Sequence, residues 1–169
     1  MIRFRLFLIA LLCLFLAPSP VRAQVAVYAG YSAASVSNGG VDWAYGPLFG
    51  AYKQTGYAAN IISIGGDLRA AFLSRDNFHY YTGAAGPRLA FKAPILPFRP
   101  YVEGLVGVGN VQTDGRNSYN HFNYQVLGGL DTTLLPRLDW RVVEFDYSAV
   151  SSVSVNTKTF TTGLVLRLF

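Results

Sequence analysis

The stretch His121-Phe122-Asn123-Tyr124-Gln125-Val126 alternates between polar side chains and aromatic or aliphatic ones. The apolar series continues at Leu130 and the polar series at Asp131. Successive side chains of an extended strand point to opposite faces, so a period of two places each series on its own face. The stretch therefore predicts a β-strand with one apolar face and one polar face.

The same alternation recurs outward from this stretch, in segments of about 10 residues separated by turn-forming residues. In one such segment, Ile64 and Leu68 lie on one face while Asp67 and Arg69 lie on the other. We expect eight strands, at residues 24–35, 43–54, 59–73, 78–91, 99–112, 121–133, 138–149 and 157–169.

The predicted connectors fall into two classes that alternate along the chain. Residues 36–42, 74–77, 113–120 and 150–156 are rich in Ser, Asn, Asp and Gly. Residues 55–58, 92–98 and 134–137 are tighter, and two of these three contain proline, which stiffens a turn. A chain that crosses a sheet eight times brings alternate connectors to opposite rims, so we expect one polar rim and one tight rim.

The scarcity of charge on the polar faces decides which face is inside. A soluble barrel of this size would present many Lys and Glu side chains to water, but only 14% of the residues are charged. We therefore expect the apolar faces to meet lipid and the charges to pair inside, where an unpaired charge is costly. The predicted interior network comprises Asp67, Arg69, Arg88, Glu103, Asp131, Glu144, Asp146 and Arg167.

Closure of the sheet follows from the same interpretation. An open sheet edge in lipid would leave backbone N–H and C=O groups without partners. The sequence thus predicts an all-β fold, an eight-stranded antiparallel up-and-down transmembrane β-barrel. The bore of such a barrel is just wide enough for side chains to fill it, so an open pore is not expected.

Some residues carry further expectations. Arg141 shares the apolar face of its strand with Val143 and Phe145, so we expect it to snorkel to the membrane interface. Gly128 and Gly129 are expected to mark a bend or a tight contact inside the barrel.

Aromatic side chains near the strand ends are expected to form two interfacial belts. These aromatics are Tyr28, Tyr31, Trp43, Tyr45, Tyr80, Tyr81, Tyr101, Trp140 and Phe169.

The N-terminal residues have the three parts of a secretory signal. Residues 1–5 are short and basic, residues 6–17 form an apolar run, and Val21-Arg22-Ala23 suits cleavage before Gln24. The apolar run is too short for a membrane-spanning helix, which needs about 20 residues. We expect residues 1–23 to be a cleaved signal peptide and residues 24–169 to form the barrel.

Charge and cysteine content argue against several classes of function. Three of the 14 basic residues lie in the first 23 positions, so residues 24–169 carry 11 basic and 9 acidic residues, a net charge of +2. That balance gives little attraction for nucleic acid. Because Cys13 is the only cysteine, the processed chain would have no disulfide and no Cys-based metal site.

Three stretches near the C-terminus follow one another in a characteristic order: Val126-Leu127-Gly128-Gly129-Leu130-Asp131, Trp140-Arg141-Val142-Val143-Glu144-Phe145-Asp146-Tyr147 and Thr162-Gly163-Leu164-Val165-Leu166-Arg167-Leu168-Phe169. Together with Gly86-Pro87-Arg88 and residues 100–107, they resemble small OmpA-like or opacity-type outer-membrane β-barrel domains. The resemblance implies a monomer in the cell outer membrane, in contact with outer-membrane lipids and lipopolysaccharide. It also implies that Phe169 is part of the signal read by the barrel-assembly machinery.

Two histidines are the candidates for catalysis. His79 has Ser74 and Asp76 nearby, and His121 has Ser118 nearby, at the polar rim. Some small barrels modify lipids, and such an enzyme needs a nucleophile, a base and an acid at its rim. We favour structural histidines in an aromatic belt, because no nucleophile elbow, phosphate-binding loop or metal-ligand spacing accompanies them.

We therefore expect a non-enzymatic outer-membrane barrel without a cofactor, with a role in envelope structure, envelope integrity or surface interaction. Three alternatives stay open: a narrow channel along the interior charges, a lipid-modifying enzyme, and a soluble periplasmic barrel that binds a hydrophobic ligand. Residues 114–117, Asp-Gly-Arg-Asn, could bind a ligand or cation but are more simply a polar turn.

Overall fold

The computed structural model describes residues 23–37, 42–57, 61–76, 78–92, 97–113, 119–150 and 155–168. Each strand pairs antiparallel with its neighbours along the chain, and the first strand pairs with the last to close a barrel. The predicted eight-stranded antiparallel up-and-down barrel is confirmed. The strands are β1 (Ala23–Ser37), β2 (Trp43–Tyr57), β3 (Ile62–Arg75), β4 (Phe78–Phe91), β5 (Phe98–Thr113), β6 (Tyr119–Leu135), β7 (Leu138–Val150) and β8 (Val155–Arg167).

The two ends of the barrel are named here by the strand ends that meet there. The terminal rim is the end where β1 begins and β8 ends, and the loop rim is the opposite end. Residues 1–22 of the predicted signal peptide and the predicted assembly residue Phe169 lie outside the described residues. Within the described part of the chain, no helix is both long enough and apolar enough to cross a membrane.

The strand ends differ from the predicted ones by at most three residues. β2 runs to Tyr57 rather than residue 54, and β3 begins at Ile62 rather than residue 59, because Tyr57 and Ile62 pair with each other. β8 runs from Val155 to Arg167 rather than over 157–169. Backbone pairing can continue past the alternating segment, so the side-chain pattern alone does not locate these ends.

Most of the large apolar side chains of the wall point outward. Leu68, Val126 and Val106 are 62%, 61% and 56% exposed, whereas the neighbouring Asp67 and Gln125 are buried in the lumen. A water-soluble barrel has the reverse polarity, because it hides its apolar face. The polarity across the wall is therefore that of a barrel surrounded by hydrocarbon.

One extra residue in β7 decides the orientation of Arg141. Asp131 pairs with Arg141, but the preceding Leu130 pairs with Val143, so Val142 has no partner of its own on β6. The pairing of β7 with β8 shifts at the same place. Such a β-bulge places two residues opposite one and reverses the alternation beyond it. Arg141 is consequently inside and 1% exposed, so its predicted position at the lipid interface is wrong.

The predicted aromatic belts also need correction, because the aromatics divide between the two faces. The exposed members are Tyr31, Trp43, Tyr45, Tyr81 and Trp140. Tyr28, Tyr80 and Tyr101 instead lie in the lumen, each no more than 5% exposed, and their prediction as belt residues is wrong. Each of these three belongs to the inward series of its strand, and each hydroxyl reaches a polar partner inside.

Candidate functional site

The charged part of the lumen centres on Glu144, which is fully buried. The Nη2 atom of Arg69 donates to both carboxylate oxygens of Glu144, at 2.7 and 2.9 Å. Arg141 donates from Nη1 at 2.9 Å, and the Tyr101 hydroxyl donates at 2.6 Å. Four hydrogen bonds from three buried donors compensate the cost of removing this carboxylate from water.

A second cluster forms around Arg88, nearer the terminal rim. Arg88 pairs with Glu103 through Nη1 and with Asp131 through Nη2, the latter at 3.1 Å. Asp131 also accepts from Nε of Arg141 at 3.2 Å. Arg141 therefore joins the two clusters, and the bulge at Val142 is what brings it there.

Tyrosines complete the network around the arginines. The Tyr28 hydroxyl donates to Asp67 at 2.6 Å, and the Tyr28 ring lies 4.1 Å from the guanidinium carbon of Arg141. The guanidinium carbon of Arg88 lies 3.8 Å from the centroid of the Tyr101 ring. Stacking on an aromatic face satisfies a guanidinium in directions where no carboxylate is available.

Two glycines make room for the rings of these tyrosines. Tyr28 is directly opposite Gly50 on the neighbouring strand, and Tyr101 is directly opposite Gly129. A Cβ atom added at Gly50 would lie 2.2 Å from the Tyr28 ring, and one at Gly129 would lie 2.5 Å from the Tyr101 hydroxyl oxygen. Both rings can lie flat along the wall only because these glycines have no side chain, which agrees with the tight contact predicted at Gly129.

The lumen changes character towards the loop rim, where its polar groups are uncharged. Asn123 donates to the Tyr80 hydroxyl at 2.6 Å and to Thr82 at 3.1 Å, and Gln125 donates to Thr82 at 3.0 Å. Above this layer, buried apolar side chains fill the end of the bore. This apolar plug consists of Ala34, Val36, Ala44, Leu73, Phe78, Tyr80 and Val150.

The terminal rim carries a separate ionic group. Asp139 is fully buried and forms ion pairs with Arg99 and with Arg167, the latter at 3.1 Å. Arg167 was predicted to belong to the interior network, but the structure places it here, with its side chain 25% exposed.

The other predicted network residues lie together in the lumen. They are Asp67, Arg69, Arg88, Glu103, Asp131, Glu144 and Asp146, each no more than 7% exposed. Arg69 and Asp146 approach to 3.8 Å. Arg141 and Asp139 are also interior residues, although neither was predicted to be one. Arg141 itself was the available signal. In a regular strand its charge would lie on the apolar face, and the bulge turns it inward.

The two histidines do not come together. His79 lies between the inward Phe78 and Tyr80, so it is on the outer face, where its ring stacks on Tyr81 with centroids 6.2 Å apart. His121 belongs to the inward series of β6 and is half-buried. Ser118 and residues 114–117 lie outside the described residues. Among the residues that are described, no group of three His, Cys, Asp or Glu side chains could hold a metal ion.

No protein-family model and no curated protein matches the chain. Solved structures do match. Neisserial surface protein A (NspA) aligns with a TM-score of 0.62 and 18% identity, over 86% of this chain and 98% of that one. Ail, the attachment invasion locus protein of Yersinia pestis, aligns with a TM-score of 0.58 and 18% identity, over 87% and 99%. The chain has the fold of a small outer-membrane β-barrel.

The outer-membrane barrel fold is shared by proteins with different activities. The outer membrane enzyme PagL aligns with a TM-score of 0.51 and 11% identity, over 86% of this chain and 99% of that one. Identities this low establish the fold alone, and function must be argued from the residues of this chain.

Proposed function

We propose that this chain is a non-enzymatic integral protein of the bacterial outer membrane, a closed barrel with a structural or surface-interaction role. The observation that carries the proposal is the polarity across the wall. Outward side chains such as Leu68 and Val126 are apolar and exposed, while the charged side chains of the lumen are buried and most of them are paired. Such a surface is compatible with lipid and would be unfavourable in water.

The proposal includes the protein's route and surroundings. Residues 1–23 would direct export and be removed, and Phe169 would contribute to recognition by the barrel-assembly machinery. The inserted barrel would be a monomer in contact with outer-membrane lipids and lipopolysaccharide. Support for a monomer comes from the closed sheet, which has no strand edge left to pair with another copy.

The contents of the lumen favour a closed barrel over a channel. The apolar plug at the loop rim includes Leu73 and Phe78, each 1% exposed. Beneath it, the Arg69–Glu144 and Arg88–Asp131 pairs cross the lumen between strands that are not neighbours. An ion would have to displace paired charges and then enter an apolar constriction, which is unfavourable at both steps.

Single-channel recording in planar bilayers tests the closed barrel. We expect no conductance above the protein-free background after the detergent-solubilised protein is added. The same preparation should migrate differently on a gel before and after boiling, which shows that the protein recorded was folded. Stepwise conductance from heat-modifiable protein would contradict the proposal, as would recovery of the protein in a detergent-free soluble fraction.

An arginine scan of the wall tests whether lipid surrounds the barrel. Leu68 lies in the middle of β3, whereas Leu135 is the last residue of β6, and both are exposed. We expect Leu68→Arg to lower the free energy of unfolding from lipid vesicles by about 2–4 kcal/mol and Leu135→Arg by about 0–1 kcal/mol. Equal effects at the two depths would show that no hydrocarbon layer covers the middle of the wall.

The non-enzymatic part of the proposal is tested with the two histidines. Because His79 and His121 point to opposite faces of the wall, they are poorly placed to act on one substrate. Lipid A and phospholipids from cells that express the His79→Ala/His121→Ala variant should match those from cells with the unsubstituted chain. A lipid product that depends on either histidine would establish an enzyme instead.

A further inference from the structure

The mouth of the barrel at the terminal rim contains a cavity of about 420 Å³. Its lining includes four basic residues from four different places in the chain, and no acidic residue. We call these four residues the basic mouth: Lys92, Arg99, Arg137 and Arg167. A cavity of this volume lies within the range of small-molecule binding sites.

The described groups around the basic mouth do not neutralise it. Asp139 is the one acid among the described rim residues, and its single negative charge is shared between Arg99 and Arg167. The Nε atom of Arg167 is buried and has no hydrogen-bond partner among the described residues. No described carboxylate lies within ion-pair distance of Lys92 or Arg137. Deeper in the barrel, by contrast, every arginine is paired with carboxylates.

The floor of the cavity is also suited to an anion. Gln24 and Gln54 line it, and Nε2 of Gln54 donates to Oε1 of Gln24 at 3.1 Å. Oε1 of Gln54 in turn accepts from Nε of Arg88 at 3.3 Å. The group directly behind the floor is therefore the Arg88 guanidinium, which is also bound to Glu103 and Asp131.

The backbone at Arg137 adds an independent observation. Arg137 has a φ of 73°, in the left-handed region where glycine or asparagine is strongly favoured over a long side chain. The turn would be less strained with glycine, yet an arginine occupies it and contributes to the cavity. A strained residue that supplies a charge to a site suggests a role in binding rather than in folding.

The charge of the basic mouth can be compared with that of the loop rim at the other end of the barrel. Its described charged side chains are Asp42, Arg75, Asp76 and Lys158, two of each sign. Among the described residues, an excess of positive charge is therefore found at the terminal rim and not at the loop rim.

We propose that the basic mouth binds a phosphate group. Guanidinium groups match phosphate oxygens with paired, charge-assisted hydrogen bonds, and arginines are the majority of the charged lining. The phosphate could belong to a free ion or to the headgroup of an anionic phospholipid from the leaflet at this rim. The lipid source rests on the proposed membrane location, whereas binding of a free phosphate does not.

The first experiment uses the full chain in zwitterionic detergent micelles, titrated with inorganic phosphate at constant ionic strength. We expect saturable changes in the NMR signals of the arginine side-chain N–H groups at Arg99 and Arg167. The Lys92→Gln/Arg137→Gly variant should bind about tenfold more weakly or worse, the effect of losing a hydrogen bond to a charged group. Lys92 has no ion-pair partner among the described residues and glycine suits the φ of residue 137, so this variant should keep its fold.

The matched control removes two cations from the loop rim, as Arg75→Gln/Lys158→Gln. It should bind phosphate as the unsubstituted chain does. Absence of saturable binding to the unsubstituted chain would overturn the proposal, and so would an equal loss of affinity in the control, because the effect would then come from net charge.

The second experiment distinguishes the two sources of phosphate. The protein is placed in phosphatidylcholine nanodiscs that contain phosphatidylglycerol, and native mass spectrometry measures the lipid that stays bound after release. Retention of phosphatidylglycerol by the unsubstituted chain and by the control, but not by Lys92→Gln/Arg137→Gly, supports a lipid headgroup. Phosphate binding without such retention supports a free ion. Failure to insert into nanodiscs would count against the proposed membrane function and leave the micelle result standing.

Discussion

The two halves of the lumen are filled by different chemistry. The charged half, which runs from the middle of the lumen towards the terminal rim, holds three arginines and five carboxylates, namely Arg69, Arg88, Arg141, Asp67, Glu103, Asp131, Glu144 and Asp146. The half nearer the loop rim holds amides, hydroxyls and an apolar plug. The side chains of both halves are buried, but the charged half depends more strongly on its partners, because an unpaired buried charge costs far more than an unpaired amide.

The charged half favours the correct register of the strands more strongly than the neutral half does. The arginines of the charged half bind carboxylates from distant strands, as Arg69 on β3 does with Glu144 on β7. Such cross-lumen pairs form only when all strands have the correct register, since a one-residue slip turns a side chain to the other face. The neutral half has no such ion pairs among its described residues and is filled by hydrogen-bonded amides and hydroxyls and by apolar side chains.

The largest predicted effect comes from removing the central carboxylate of the charged half. Glu144→Gln keeps the shape of the side chain but leaves Arg69 and Arg141 without their main partner. We expect the free energy of unfolding to fall by about 3–5 kcal/mol. The measurement is urea-induced unfolding from lipid vesicles, followed by the fluorescence of Trp43 and Trp140, which lie on the outer face.

The control for this variant is Asp76→Asn at the loop rim, where the side chain is 81% exposed. We expect almost no change, because exposed ion pairs contribute little. Unfolding of Glu144→Gln at the same urea concentration as the unsubstituted chain would contradict this prediction. It would show that the stability of the charged half does not depend on its central carboxylate.

A smaller effect is predicted where a glycine admits a tyrosine ring. An alanine at Gly129 would press on the Tyr101 ring and displace its hydroxyl from Glu144. We expect Gly129→Ala to destabilise the protein by about 1–3 kcal/mol, as overpacking does. Gly104→Ala is the matched control, because a Cβ atom at Gly104 meets nothing within 4 Å. Equal unfolding midpoints for the two alanine variants would show that the ring adjusts without cost.

The fold could be predicted from the side-chain alternation, because a period of two directly reports the two faces of a strand. The stretch around Phe122 and Asn123 shows this most clearly, and the structure places the two on opposite faces. The scarcity of charges then indicated which face is inside. These inferences use only local sequence, and local sequence is sufficient to predict the strands and the face of each strand that lies inside.

The details of the network could not be predicted in the same way. The bulge at Val142 adds one residue to a strand, and composition does not distinguish it from a regular position; only the misplaced charge of Arg141 signalled it. Tyr28 and Tyr101 were assigned to the lipid interface because aromatics are common there. Their inward place depends on glycines of the neighbouring strands, and that register is a long-range property.

The smallest predicted effect compares one chemical change in the two halves. Tyr101 and Tyr80 are both buried, and the loss of either hydroxyl leaves an aromatic ring of the same shape. The Tyr101 hydroxyl donates to the carboxylate of Glu144, whereas the Tyr80 hydroxyl bonds to the neutral Ser148 and Asn123. Because hydrogen bonds to charged groups contribute about 1.5–3 kcal/mol and neutral ones about 0.5–1.5 kcal/mol, Tyr101→Phe should destabilise by about 1 kcal/mol more than Tyr80→Phe. The difference between the two midpoints in urea measures it, and a larger loss in Tyr80→Phe would mean that the neutral layer, not the charged one, sets the stability of the lumen.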